Sequence, residues 1–202
     1  MLEIFQKKFK WERLINDTDS SVNTNQWLLN YFKEVGWYSF NEGLYRIHTS
    51  QTSILWKGII EEVFPEYKNI IEPIWFDWLG RQYTLDKRRL DNEWNQMILL
   101  FQIYTWDVFE VPYSVNNFYN IELIEHWNIL LEPNILKKSL WNKKLKFTEC
   151  VWYKKPLFLW GKHEFWNMEI IDMKFYWEFT WELWNMVKDL PDWTEIGNIS
   201  IK

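Results

Sequence analysis

The spacing of apolar residues changes along the chain, and this change separates helical from extended regions. Before residue 70 the apolar residues recur with a helical period, in the stripes Leu28, Phe32, Val35 and Leu55, Ile59, Val63. Gly36 follows the first stripe, where helices commonly end, and Thr49 leads into the second. Residues 43–48 predict a strand between them. The expected order up to Pro65 is therefore helix, strand, helix.

From residue 70 the apolar residues alternate with a period of two, which is typical of half-buried strands. Short connections separate the runs, so that consecutive strands can pair as an antiparallel meander. The predicted strands cover residues 70–78, 81–86, 96–101 and 107–111. We expect one mainly antiparallel sheet from this region.

Helical spacing returns after the meander. The predicted elements are a helix over 114–131 capped by Ser114, a helix from Pro133 to about residue 141, a β-rich block over 147–176 and a helix over 179–187 that Pro191 ends. Helices gathered around a mainly antiparallel sheet predict the α+β class. The change near residue 118 predicts an N-terminal domain over 1–118 and a C-terminal domain over 119–202, which shared packing would join into one unit.

The composition contains one anomaly. The 202 residues include 17 Trp but only 6 Gly and no Ala, although Gly and Ala are normally among the commonest residues. Trp106 lies between two predicted strands, and Trp193 stands where a Pro-Asp-Gly turn would have its glycine. Both positions favour the least bulky residue and hold the bulkiest.

The sequence excludes several classes of protein. No run of about 18 apolar residues occurs, so that no membrane-spanning segment is predicted. The N-terminus lacks the basic region and apolar core of a signal peptide, and we expect a cytoplasmic protein. Cys150 is the only cysteine, which excludes an internal disulfide and a cysteine-cluster metal site. We expect it to be a small buried hydrophobe.

The net charge of −5 is unevenly distributed. Residues 135–162 contain eight lysines against the single acidic residue Glu149, which gives this segment +7 and leaves −12 for the rest. A chain that is acidic outside one basic segment is poorly suited to bind nucleic acid, because that affinity depends on neutralising phosphates. An acidic surface suits a basic protein partner instead.

No motif for nucleophilic, phosphate-binding or metal chemistry has its required spacing. In His163-Glu164-Phe165-Trp166-Asn167 the first His and the Glu of a zinc-protease helix are present, but Asn stands in place of the second ligand. We expect structural or exposed roles for His48 and His126. The sequence thus predicts no catalytic residue, metal or cofactor, although carboxylate pairs that meet only in space leave an enzyme open.

One short run predicts a local clamp. Asp77 and Arg81 flank Gly80 between two predicted strands. Glycine suits a tight reversal, and an Asp–Arg ion pair would hold the two sides together.

Four runs of residues form a distinctive set. They are Gly-Leu-Tyr-Arg-Ile-His (43–48), Phe-Asp-Trp-Leu-Gly-Arg-Gln (76–82), Tyr-Lys-Lys-Pro-Leu-Phe-Leu-Trp-Gly (153–161) and Asn-Met-Glu-Ile-Ile-Asp-Met-Lys-Phe-Tyr-Trp (167–177). These runs resemble the DNase immunity proteins of type VI secretion systems. That family pairs an N-terminal GAD-like domain with a C-terminal domain formerly of unknown function, and the resemblance spans about residues 27–199.

The resemblance implies a cytoplasmic protein that binds and neutralises a cognate secreted toxin, often a nuclease, so that the producing cell survives. The alternative is a general interaction or scaffold module with no toxin partner, since a shared fold does not fix an activity. The resemblance assigns no catalytic role. The residues that match the family pattern are Gly43, Leu44, Tyr45, Arg46, Asp77, Trp78, Gly80, Arg81, Lys154, Pro156, Leu157, Phe158, Gly161, Asn167, Glu169, Asp172, Tyr176 and Trp177.

The departures from the family pattern concentrate at glycines. Tryptophan stands where the pattern has glycine at Trp75, Trp152, Trp160 and Trp193, and a turn favours glycine at Trp106. We hypothesise that the gene uses UGA as a glycine codon and that the sequence renders it as tryptophan, at these five positions and in the wider set Trp94, Trp166 and Trp181. The alternative is a true Trp-rich protein whose tryptophans are anchors of a binding surface.

Overall fold

A large sheet, a small sheet and several helices make up residues 3–14, 26–140 and 143–191, the part of the chain that the computed structural model describes. The strands are β1 Trp11–Arg13, β2 Tyr38–Phe40, β3 Tyr45–Ile47, β4 Ile71–Asp77, β5 Gln82–Leu90, β6 Gln96–Gln102, β7 Asp107–Ser114, β8 Glu149–Tyr153 and β9 Met168–Asp172. The α-helices are α1 Glu3–Lys8, α2 Gln26–Val35, α3 Ser50–Val63, α4 Val115–Asn117, α5 Leu123–Leu131, α6 Pro133–Leu140 and α7 Met173–Val187.

The large sheet is antiparallel, and its seven strands lie in chain order from β1 to β7. The predicted meander is confirmed in β4 to β7. The central strand β4 is buried along most of its length, whereas at the two edges β1 is exposed and β7 alternates mainly between exposed and half-buried residues. Helices around this sheet confirm the α+β class.

Helix α3 begins at a capping box. The Thr49 hydroxyl accepts the Thr52 backbone N–H, and the Thr52 hydroxyl accepts that of Thr49. Of the predicted apolar stripe, Val63 is buried and Ile59 is half-buried against the core. Leu55 is exposed, contrary to the prediction, and the buried face runs through Trp56 and Ile60 instead. Trp56 provides the larger apolar surface and packs edge-on against a second buried tryptophan.

Helix α2 buries its predicted stripe and ends at Val35, so that Gly36 follows its last residue as predicted. Gly36 donates its N–H to Phe32 O at 2.8 Å and so continues the helical hydrogen bonding. A Cβ on Gly36 would lie 2.4 Å from the same oxygen, which explains glycine there. The left-handed residue that follows the helix is the next one, Trp37, with φ 66°.

The chain between β7 and α6 is helical as predicted, in three consecutive pieces. Helices α4 and α5 are separated by a π-helical turn at Phe118–Glu122. Ser114 stands at the N-cap position, but its side chain makes no capping hydrogen bond, contrary to the prediction.

The small sheet pairs β8 with β9, from Glu149 opposite Asp172 to Tyr153 opposite Met168. The predicted β-rich block is wrong at its end, because α7 already begins at Met173. The Asp172 carboxylate caps this helix by accepting the Phe175 N–H at 3.0 Å. The last helix therefore starts before the predicted residue 179.

Large aromatic side chains form the core. Trp75, Trp78, Tyr119 and Trp177 are fully buried, and each such side chain contributes about 1.5–3 kcal/mol by burial. Cys150 is also fully buried, as predicted. One core cluster draws on both predicted domains, whose boundary stays a prediction. Within the described ranges, no helix has the length and apolar character needed to cross a membrane.

Candidate functional site

Arg46 joins the large sheet to the chain that leads into β8. It is fully buried in β3, where its Nη1 donates to the carbonyl oxygens of Lys146 at 2.7 Å, Phe147 at 3.2 Å and Glu149 at 2.6 Å. Its Nη2 donates to Asp77 O at 3.1 Å. Burial lowers the pKa of Arg46 to about 10, so that it stays charged at neutral pH. The guanidinium thus connects two segments that lie about 100 residues apart in the sequence.

Asp77 and Arg81 form the predicted ion pair around Gly80, which has φ 72°. Arg81 Nε lies 2.5 Å from Asp77 Oδ2, and the other carboxylate oxygen accepts the backbone N–H groups of Leu79 and Arg81. Burial raises the pKa of Asp77, and the Arg81 guanidinium opposes that shift. Arg81 Nη2 also donates to Leu130 O at 2.6 Å, which ties the hairpin to α5.

Asn167 holds the loop between β8 and β9. Its Oδ1 accepts the Lys155 N–H at 2.9 Å, and its Nδ2 donates to the carbonyls of Lys155 and Lys162 at 2.9 and 3.0 Å. The residue is buried, so that these bonds replace those it would make to water. We call Arg46, Asp77, Arg81 and Asn167 the polar framework.

Two tryptophans of the family pattern also connect separate segments through side-chain hydrogen bonds. Trp78 Nε1 donates to Leu131 O at 2.6 Å, and Trp177 Nε1 donates to Gly80 O at 2.9 Å. The four runs that carry the resemblance therefore meet in space. Their buried members support the fold, and Lys154 and Glu169 are the pattern residues that are exposed without a side-chain bond to another described residue.

The histidine of the incomplete zinc motif has a different role. His163 precedes the short helical turn Phe165–Asn167 rather than lying on an α-helix, and Asn167 belongs to the polar framework. The His163 ring bridges the Tyr153 hydroxyl and the Glu132 carboxylate. The hydrogen bond from His163 lowers the pKa of Glu132. Sequence spacing gave no signal for this contact, because Glu132 lies in another segment.

The other two histidines differ in burial. His48 is fully buried, its Nε2 donates to Gln82 Oε1 at 2.9 Å, and its Nδ1 lies 3.2 Å from the Thr52 hydroxyl. Burial lowers the pKa of His48 to about 3, so that the ring is neutral at physiological pH. His126 is exposed, 3.9 Å from Glu125. Among the described residues, no group of three or more His, Cys, Asp or Glu side chains is placed to hold a metal ion.

A concave surface lies between α6 and the turn before β3. We call it the lysine groove: it has a volume of 430 Å³ and is lined by Asn41, Glu42, Leu44, Pro133, Leu136, Lys137, Leu140, Lys143 and Lys144. Its leucines are buried, whereas its lysines are exposed and make no salt bridge to another described side chain. All eight lysines of residues 135–162 are exposed. The groove therefore combines an apolar floor with a rim on which three lysines outnumber the one acidic residue, Glu42.

Comparisons with known proteins support the fold. No family model matches the chain, and no curated protein matches it. Among solved structures, the crystal structure of Atu4351 from Agrobacterium tumefaciens is similar, with a TM-score of 0.59 and 13% sequence identity. The similarity covers 90% of this chain and 89% of that one. At this identity it shows the fold alone.

Proposed function

We propose that this chain is an immunity protein that binds a cognate secreted toxin, a nuclease, in the cytoplasm of the producing cell and neutralises it. The observation that carries the proposal is the meeting of the four runs that resemble this family. Lys154 N in the third run donates to Asn167 O in the fourth at 2.8 Å. Trp177 Nε1 in the fourth run donates to Gly80 O in the second at 2.9 Å, and Arg46 Nη2 in the first run donates to Asp77 O in the second at 3.1 Å. Sequence signatures that maintain one fold are expected to pack together in this way.

The buried position of the polar framework indicates where binding takes place. Its members hold backbone carbonyls and loops and are not available to a partner. The exposed residues must therefore supply the contacts, and a stable complex needs about 1,000 Å² or more of buried surface. Outside residues 135–162 the chain carries −12, which favours encounter with a basic nuclease.

Co-expression with the product of the adjacent upstream gene tests the proposal. We expect that product alone to stop growth, this chain to restore growth, and the two purified proteins to elute as one complex. Cells that carry an inactivated form of the upstream product control for the burden of expression. An upstream product that is harmless, or toxicity that this chain does not relieve, contradicts the proposal.

A second candidate function is an interaction module without a toxin, and the lysine groove favours it. The groove is opposite in charge to the rest of the chain, which fits an acidic segment with an apolar side chain for the leucine floor. The triple variant Lys137→Glu, Lys143→Glu, Lys144→Glu would abolish binding of such a partner. The triple variant Lys154→Glu, Lys155→Glu, Lys162→Glu makes the same change in net charge outside the groove and would retain binding.

A further inference from the structure

Four tryptophans have a backbone conformation that suits glycine. Trp37, Trp94, Trp106 and Trp160 have φ values of 66°, 64°, 63° and 61°. In this left-handed region the Cβ of an L-residue crowds the following carbonyl oxygen. Asparagine tolerates the region better, and two of the other four such non-glycine residues are asparagines. A bulky aromatic residue there is a true outlier, and here it recurs four times.

The surrounding turns impose this conformation. In the β5–β6 hairpin, Asp91 Oδ1 accepts the N–H groups of Glu93 and Asn95 at 2.8 and 2.9 Å, and Trp94 N donates to Asp91 O at 3.1 Å. A turn of this kind closes with a left-handed residue, usually glycine. The Trp94 side chain is 82% exposed, so that packing of the ring does not explain its presence.

The other three positions are also glycine positions of recognised turns. Trp106 is the last residue of the connection between β6 and β7, and its N–H donates to Ile103 O. Trp37 ends helix α2, and Trp160 ends the short helical turn Leu157–Leu159, where the next N–H donates to Pro156 O at 2.9 Å. Left-handed residues that end helices in this way are usually glycine.

We propose that residues 37, 94, 106 and 160 are glycine in the polypeptide that the source cell makes. A codon read as glycine there and rendered as tryptophan would change the count from 17 Trp and 6 Gly to 13 Trp and 10 Gly, which reduces the anomaly of the composition. The proposal adds residue 37 to the positions suspected from the sequence. It also removes the exposed rings of Trp94 and Trp160 from the surface, so that neither belongs to a binding site.

Only some of the positions suspected from the sequence have a left-handed backbone conformation. Trp75 and Trp152 lie in strands, Trp166 in a short helical turn and Trp181 in α7, none of them left-handed. Trp193 lies outside the described residues. For these five, recoding stays a hypothesis.

Mass spectrometry of peptides from the protein isolated from its source cells tests the proposal directly. Each peptide that contains one of the four positions should be lighter by the difference between a tryptophan and a glycine residue. Tryptophan masses at these positions would overturn it.

Paired substitutions in the tryptophan-containing protein test whether a Cβ in the left-handed conformation is destabilising at these positions. Trp94→Gly and Trp94→Ala both remove the ring, but only alanine keeps a Cβ in the left-handed region. We expect the glycine variant to have a folding equilibrium constant about fivefold larger than the alanine variant, and the same at residue 160. At exposed Trp166, which is not left-handed, the order should reverse. Alanine variants as stable as glycine variants at both turns would contradict the assignment.

Discussion

The polar framework and the lysine groove use charged residues in opposite ways. Arg46 and Arg81 are buried and donate to carbonyl and carboxylate oxygens of the chain itself, although Nε of Arg46 has no partner among the described residues. Lys143 and Lys144 are exposed beside a leucine floor and have no described ionic partner. Buried charges that are held by hydrogen bonds or an ion pair are costly to disturb, whereas exposed unpaired charges are available to another molecule. The polar framework therefore maintains the fold, and the exposed surface has to supply the contacts with a partner.

The largest effect is expected from Arg81→Met. The substitution leaves the buried Asp77 carboxylate without its cation, and we expect a loss of about 3–5 kcal/mol in the free energy of unfolding. Urea denaturation measures this loss. The matched change Lys143→Met, in the groove, should cost less than about 0.5 kcal/mol. Equal effects of the two substitutions would abolish the distinction between framework and groove.

A smaller effect is expected from pH, through His48. The folded ring has a pKa of about 3, and the unfolded value is about 6.5. Below pH 6.5 the unfolded state therefore gains a proton that the folded state lacks, and stability falls. At pH 5 the loss is about 2 kcal/mol.

Two variants isolate this contribution. His48→Gln keeps an amide that can bond to Gln82, and it should flatten the pH dependence of the free energy of unfolding between pH 6.5 and 4. His126→Gln changes an exposed ring and should leave the dependence unaltered. An unchanged slope in His48→Gln would show that the buried ring is not the cause.

The smallest effect on stability is expected in the groove itself. We test this with the triple variant Lys137→Glu, Lys143→Glu, Lys144→Glu. Its free energy of unfolding should differ from that of the unsubstituted chain by less than about 0.5 kcal/mol per substitution, because the three side chains are exposed. Thermal unfolding at low and high salt provides the measurement. A large loss would mean that these lysines belong to the fold.

The sequence predicted the elements whose cause is local. The meander, the stripe of α2 and the Asp77–Arg81 clamp follow from periodicity and from a spacing of four residues. In α3 the prediction was wrong at Leu55, where the neighbouring Trp56 is buried instead, because the partner of Trp56 lies in α7. The start of α7 was missed because the cap on Asp172 overrides the apolar pattern before it.

The long-range contacts of the candidate site could not be predicted. Arg46 reaches carbonyls about 100 residues away, and Glu132 meets His163 across two segments. Backbone carbonyls have no sequence signature, so that no spacing rule could pair them with a given arginine. At Trp106 the sequence alone indicated that tryptophan occupies a turn position that favours glycine. At Trp37 the left-handed conformation could not be predicted, because the adjacent Gly36 was expected to end the helix.

Unfolding of the Arg46→Met variant tests most directly whether the framework joins the sheet and the C-terminal segment into one unit. Tryptophan fluorescence and far-ultraviolet circular dichroism should report one common urea transition in the unsubstituted chain. In the variant four backbone carbonyls lose the Arg46 donor, and its free energy of unfolding should be lower by about 3 kcal/mol. Two separate transitions in the unsubstituted chain, or an unchanged midpoint in the variant, would contradict this account.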